Sequence, residues 1–161
     1  MLNPGDDKKM TKSQVEQLAR EEIEGLHEFF VDWFSGSIAQ DDTVFEQRFA
    51  LRFSEDCELI QPSGDTLSRD VFFRAVNNSY GSSPDFRIAI RNVRVRVELS
   101  TGHLLVSYEE WQRNAVNSKP SDNARAASVL FAREVDGKFK WLHIHETWLP
   151  EAATSIDRFD F

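Results

Sequence analysis

Apolar residues recur at helical spacing in the first half of this chain and alternate with polar ones in the second, and that order constrains the fold more than any other feature. Val15, Leu18, Ile23, Leu26, Phe30, Trp33 and Phe34 fall three or four residues apart, which predicts a long amphipathic helix. Thr11 is one candidate cap, Ser13 with Glu16 another, and Gly36 marks the end. A short second helix is expected from Asp41 or Asp42, with Thr43 and Glu46 at capping-box spacing, presenting Val44, Phe45, Phe49 and Phe53. Cys57 to Gln61 reads as a strand stopped by the turn Pro62-Ser-Gly64. Ser68 then caps a third helix carrying Val71, Phe72, Ala75 and Val76. From there the period is two. Phe86, Ile88 and Ile90 give way to Val93, Val95, Val97 and Leu99, a parity shift that a β-bulge near Arg91-Asn92 explains. Three long strands follow, joined by a turn at Ser100 to Gly102, a loop through Pro120 and a tight turn at Asp136-Gly137. Helices first and strands afterwards predict an α+β domain rather than a βαβ one.

The 161 residues suit one domain, taken as residues 13–150, with a disordered leader over 1–12 and a tail over 151–161. Phe159 and Phe161 leave the tail two readings, a mobile end or a strap across a partner subunit. Thirteen Phe and four Trp against two Tyr and two Met mean that large rigid rings are buried. Nineteen basic residues against 27 acidic ones give a net charge of −8, which repels phosphate backbones and anionic lipid, so neither nucleic acid nor membrane is an expected partner. Arg91, Arg94 and Arg96 fit the outward face of one strand rather than a basic patch. Cys57 is the single cysteine, so no intrachain disulfide forms, and in an apolar strand it reads as an inert core residue. The first ten residues lack the apolar run of a secretory signal, and no stretch approaches the roughly 20 apolar residues that span a bilayer. A cytoplasmic location is the default expectation.

Three segments carry a resemblance to a known superfamily. The first is Phe53 to Gly64 followed by Ser68-Arg-Asp70. The second is Asp136-Gly137 leading into Trp141-Leu-His-Ile-His-Glu-Thr-Trp148, and the third is Tyr108-Glu-Glu110. Their order resembles the nuclear transport factor 2-like superfamily, which includes ketosteroid isomerase, SnoaL-like cyclases and uncharacterised small proteins. The resemblance implies a cystatin-like cone, with N-terminal helices packed on a strongly curved, mainly antiparallel sheet around a pocket. It also implies a homodimer through the sheet's outer face. It does not imply one reaction. The isomerase's first-helix tyrosine falls at about Trp33, a weaker donor, and its general-base aspartate falls at Gln61, an amide that cannot take a proton. Isomerisation by that arrangement is not expected.

Alternation on the last strand puts Leu142, Ile144, Glu146 and Trp148 on one face and Trp141, His143 and His145 on the other. With the first face inward, Glu146 is an acid among apolar neighbours, suited to general acid or base work, or else a carboxylate paired with an Arg. Glu110 shares a face with Leu104, Val106, Tyr108 and Gln112; if that face is inward, the two carboxylates, with one strand between them, lie about 10 Å apart, and if not, Glu109 and Glu110 make a polar strand with neither buried. A one-residue slip exchanges Glu146 for His145 as the pocket residue. His143 and His145 lack an evident third metal ligand, so no metal is expected, and nothing in the sequence asks for a cofactor. The leading expectation is a binding protein for a small, largely apolar molecule, with Glu110 and Glu146 as catalytic candidates and Trp33, Gln61, Tyr108, His145 and Trp148 as ligand-binding ones. The alternatives are an isomerase, cyclase or dehydratase using a pocket glutamate, and an oligomerisation module.

Overall fold

Thr11 begins the fold: its side chain accepts from the Gln14 amide while the Gln14 side chain accepts from the Thr11 amide, a reciprocal cap that opens α1 (Lys12–Ser35). Thr11, not Ser13, is therefore the cap. The computed structural model describes residues 9–161; residues 1–8, most of the expected leader, lie outside the described residues. One stripe of α1 is buried, from Val15 through Ile23 and Leu26 to Trp33, and His27 lies within it. Gly36, at φ 73°, takes the left-handed conformation that ends the helix.

The second helix, α2 (Asp42–Arg48), is capped by Asp41, whose carboxylate accepts from the Thr43 and Val44 amides, rather than by a Thr43–Glu46 pair. It stops before Phe49, and Phe53 already opens β1 (Phe53–Ile60). There follow β2 (Thr66–Ser68), α3 (Arg69–Asn78), β3 (Arg87–Glu98), β4 (His103–Arg113), β5 (Asn123–Arg133) and β6 (Phe139–Trp148). They form one sheet in the order β2-β1-β6-β5-β4-β3, antiparallel except where β1 runs alongside β6. The expected long meander is β3 to β6; the short β2 and the parallel β1–β6 pair were not foreseen.

Of the register shifts in the sheet, two bear on the site. The register of β3 against β4 slips between Arg91 and Arg94, with Asn92 at φ 53°, where the parity shift placed a bulge. A second slip lies in β6: Trp141 pairs with Phe131 and His143 with Leu130, leaving Leu142 as the extra residue. Strict alternation had put Trp141 outside. The bulge turns it inward, where it is fully buried with its ring against Phe131 and Phe53.

Helices and concave sheet face enclose an aromatic core. Phe49 is fully buried, its centroid 5.3 Å from that of Phe29, 5.0 Å from Phe53 and 4.7 Å from Phe73. Trp33 belongs to this core, and its indole N–H donates to the Val76 carbonyl at 3.1 Å. Past β6 the chain turns back through two 3₁₀ turns (Glu151–Ala153 and Ile156–Phe159) onto its own sheet. Phe159 meets Trp111 at 5.1 Å, the Arg91 guanidinium stacks 4.6 Å from the Trp111 ring, and Arg113 donates to the Phe161 carbonyl at 2.7 Å. The tail thus seals Trp111 on the outer face in cis. No helix among the described residues is long and apolar enough to cross a membrane.

Candidate functional site

A cavity of about 210 Å³ lies between α1, α3 and the concave sheet. Leu26, Phe30, Leu59, Phe72, Val76 and Ile144 belong to its apolar lining, and Tyr108, Glu110, Gln112, Arg125 and Glu146 bring polar groups from β4, β5 and β6, with His27 from α1. Inward alternation on β4 delivers Tyr108, Glu110 and Gln112, all buried. On β5 the same alternation runs from Phe131 and Val129 through Ala127 to Arg125. Ala127 stands opposite both Tyr108 and Glu146, while Arg125 stands opposite Glu110 and one inward position along from Ala127. The pleat therefore sets one guanidinium between two carboxylates.

Arg125 donates through Nη1 to Glu146 Oε2 at 3.1 Å and through Nη2 to Gln112 Oε1 at 3.3 Å and Asn123 Oδ1 at 3.1 Å. Its guanidinium lies 4.9 Å from the Trp148 ring centroid. Gln112 passes the network on, its amide N–H₂ donating to Glu110 Oε1. Glu110 Oε2 meets His27 Nε2 at 3.0 Å, and His27 Nδ1 meets the Ile23 carbonyl at 2.7 Å. A carbonyl can only accept, so Nδ1 carries a proton. Burial pushes Glu110 up, but the charge and hydrogen bond of His27, with Arg125 and Gln112, outweigh it and hold the carboxyl down at about 2. An ionised Glu110 also only accepts, so Nε2 is protonated too. His27 is accordingly an imidazolium: burial works against its charge, and Glu110 more than compensates.

Glu146 has the opposite fate. Burial and the Glu110 charge raise it to about 7 despite Arg125. Tyr108 is held neutral by burial beside the same carboxylates. The pocket thus offers a fixed charge pair, one guanidinium and one carboxyl that exchanges protons near neutrality. It can hold an apolar body by packing, hydrogen-bond its polar end, and donate or accept one proton at Glu146.

Glu110, Glu146, Tyr108 and Gln61 line the cavity. Three expected lining residues do not. Trp33 is spent in the core on Val76. His145 is exposed, because the bulge at Leu142 restores the inward parity to Ile144 and Glu146. Trp148 is 45% exposed at the end of β6, outside the wall, and touches the site only through Arg125. Sequence reasoning missed His27 and Arg125. Both left a signal: His27 follows Ile23 by four residues and precedes Phe30 by three on the apolar stripe, and Arg125 is in phase with Ala127, Val129 and Phe131. Cys57 is buried in β1, and burial raises its thiol to about 11, beyond reach as a nucleophile at neutral pH. No cluster of three or more metal-ligating side chains occurs among the described residues.

Residues 19–150 match the family described as sucrose-6-phosphate phosphohydrolase C-terminal. No curated protein matches the chain. Among solved structures, an NTF2-like protein of unknown function from Pseudomonas aeruginosa is 24% identical, covering 83% of this chain and 99% of its own, with a TM-score of 0.72. A candidate dehydratase of the NTF2-like family from Streptomyces avermitilis is 16% identical over 87% of this chain and 99% of its own, with a TM-score of 0.64. The CamKII hub homology domain of Chlamydomonas reinhardtii is 16% identical over 86% of this chain and 99% of its own, with a TM-score of 0.59. These likenesses are of fold, and the fold is NTF2-like.

Proposed function

The chain belongs to the sucrose-6-phosphate phosphohydrolase C-terminal family, and from that premise and its pocket we propose that it binds a small, largely apolar molecule between helices and sheet, with the polar end against Glu146 and Arg125. The observation that supports this most is the make-up of the cavity wall: aliphatic and aromatic side chains on α1, α3 and β1, and one hydrogen-bonded polar network that joins His27 of α1 to Glu110, Gln112, Arg125 and Glu146 on β4, β5 and β6. The phosphate ester in the family's name is not carried over to this pocket, since a dianion placed here faces Glu110 and a titrating Glu146. Native mass spectrometry of the purified protein, then denaturation of the same sample, tests the proposal. We expect an adduct that is absent from Ala75→Trp, a substitution on the open side of α3 that fills the cavity mouth. An empty wild-type protein that also takes up no 3-phenylpropan-1-ol at millimolar concentration would refute it.

A second reading is favoured by the proton exchange of Glu146 near neutrality: acid–base chemistry on the bound molecule, with Glu146 as proton donor or acceptor and Glu110, fixed by His27, orienting the network. A carbon-13 titration that finds Glu146 at an ordinary carboxylate value sinks this version and leaves the binding proposal standing. We further propose that two copies associate through the outer sheet face, where β5 presents Ala126, Ser128 and Leu130 between the outward residues of β4 and β6. Light scattering that finds only monomers at micromolar concentration would remove it.

A further inference from the structure

The cavity does not end at Arg125. A second chamber of about 210 Å³ shares Phe34, Ser79, Phe86, Gln112 and Arg125 with the first, so the two adjoin at those side chains. The inner chamber is mostly apolar; the outer one adds Ser82, Ser83, Asn117 and Ser118 from the loops after α3 and β4. Arg125 stands at the neck, and it is the only arginine or lysine on either wall among the described residues.

The charges at the neck cancel only while Glu146 is ionised. His27 on α1 is committed to Glu110 on β4 through a 3.0 Å contact. Glu146 on β6 holds Arg125 on β5 by one hydrogen bond, not the parallel pair that a carboxylate and a guanidinium can form. Tyr108 on β4 is neutral, and α3, β1 and β2 contribute no charged side chain to the wall. When Glu146 is protonated, one positive charge is left over at the junction of an apolar chamber and a hydroxyl-lined one. We propose that the paired chambers take an amphiphilic monocarboxylic acid, its ring or chain in the inner chamber and its carboxylate on Arg125 at the neck, in place of Glu146. This rests on the proposed binding function and names the chemical class of its ligand. One guanidinium balances one negative charge, which suits a carboxylate and not a dianionic phosphate. Seating the acid displaces a carboxylate, so binding takes up a proton at Glu146; the group exchanges protons at about 7, and affinity for an acid falls as the pH rises through that value.

The test uses three molecules of one shape, 3-phenylpropanoate, 3-phenylpropanamide and 3-phenylpropan-1-ol, titrated calorimetrically into the wild-type protein. We expect the acid to bind about tenfold tighter than the other two at pH 6, from the charge-assisted hydrogen bonds only it can make. Its affinity should weaken by up to about tenfold per pH unit above 7, while the amide and alcohol stay flat. In Arg125→Gln the preference for the acid disappears. In Glu146→Gln the acid still binds and its pH dependence is lost. An amide or alcohol that binds as tightly as the acid, or a preference that survives Arg125→Gln, overturns the carboxylate assignment and leaves the binding cavity in place. Failure of all three to bind the wild-type protein overturns both, and the wild-type series decides this whether or not the variants fold.

Discussion

The two walls of the cavity carry nearly the same ion pair and treat it in opposite ways. At the α1 wall, His27 and Glu110 meet at 3.0 Å; at the β6 wall, Arg125 and Glu146 meet at 3.1 Å, and both carboxylates are buried. Yet Glu110 is held at about 2 and Glu146 is raised to about 7. The difference lies in how many positive groups each carboxylate keeps. Glu110 accepts from His27 and Gln112 and stands opposite Arg125. Glu146 has one bond to a guanidinium already shared with Gln112 and Asn123, and it feels the Glu110 charge as well. An ion pair thus does not fix a protonation state; the charges around the pair do.

Breaking the α1 pair should have the largest effect. His27→Leu strands an ionised Glu110 in the core and should cost about 3–5 kcal/mol in urea unfolding at pH 7. The loss should shrink as the pH falls and Glu110 takes up a proton, and the double variant His27→Leu/Glu110→Leu should recover much of it, because apolar groups of similar volume leave no buried charge. Equal loss in the single and double variants would mean that packing, not charge, holds this wall.

The β6 wall should speak through pH. Glu110 sits below its unfolded value, so its contribution is present above about 4.5 and is lost as the pH falls toward about 2. Glu146 sits above its unfolded value, so the stability it supplies is present below about 4.5 and is lost as the pH rises through about 7. His27, raised from 6.5, supports the fold below that value and loses its contribution as the pH climbs through the raised one. Stability should therefore be greatest in mild acid. In Glu146→Gln the decline between about pH 4.5 and 7 should flatten while the acid limb stays; an unchanged decline would assign it to another group.

The smallest expected effect sharpens the contrast. Trp148→Ala removes the ring beside Arg125 and should cost about 0.5–1 kcal/mol, since that ring is half in water. A loss several times larger would show that Trp148, rather than Glu146, positions the guanidinium.

Much of this was legible in the chain. The helical stripe from Val15 to Trp33, the bulge at Arg91-Asn92 and the face shared by Tyr108, Glu110 and Gln112 follow from periodicity alone, whereas the packing of that face against the helices does not. Glu146 was placed inward, but partly for the wrong reason: Leu142, read as an inward residue, is the extra residue of a bulge, and the parity that excluded Trp141 breaks there. The bulge is hidden because Trp141 and Leu142 are adjacent, large and apolar, and either suits an inward position. Trp33 and Trp148 were misplaced because aromatic residues serve core, wall and rim equally, and only their neighbours distinguish these roles.

The sequence by itself determined the order of the main elements, the α+β class and the face that Tyr108, Glu110 and Gln112 share, because these depend on spacings within one segment. Only the tertiary structure decided that His27 meets Glu110 across 83 positions and that Arg125 reaches Glu146 across 21. The protonation states at the cavity follow from those meetings, since a buried charge is set by what approaches it in space, and the Coulomb interaction depends on distance between atoms, not on separation along the chain.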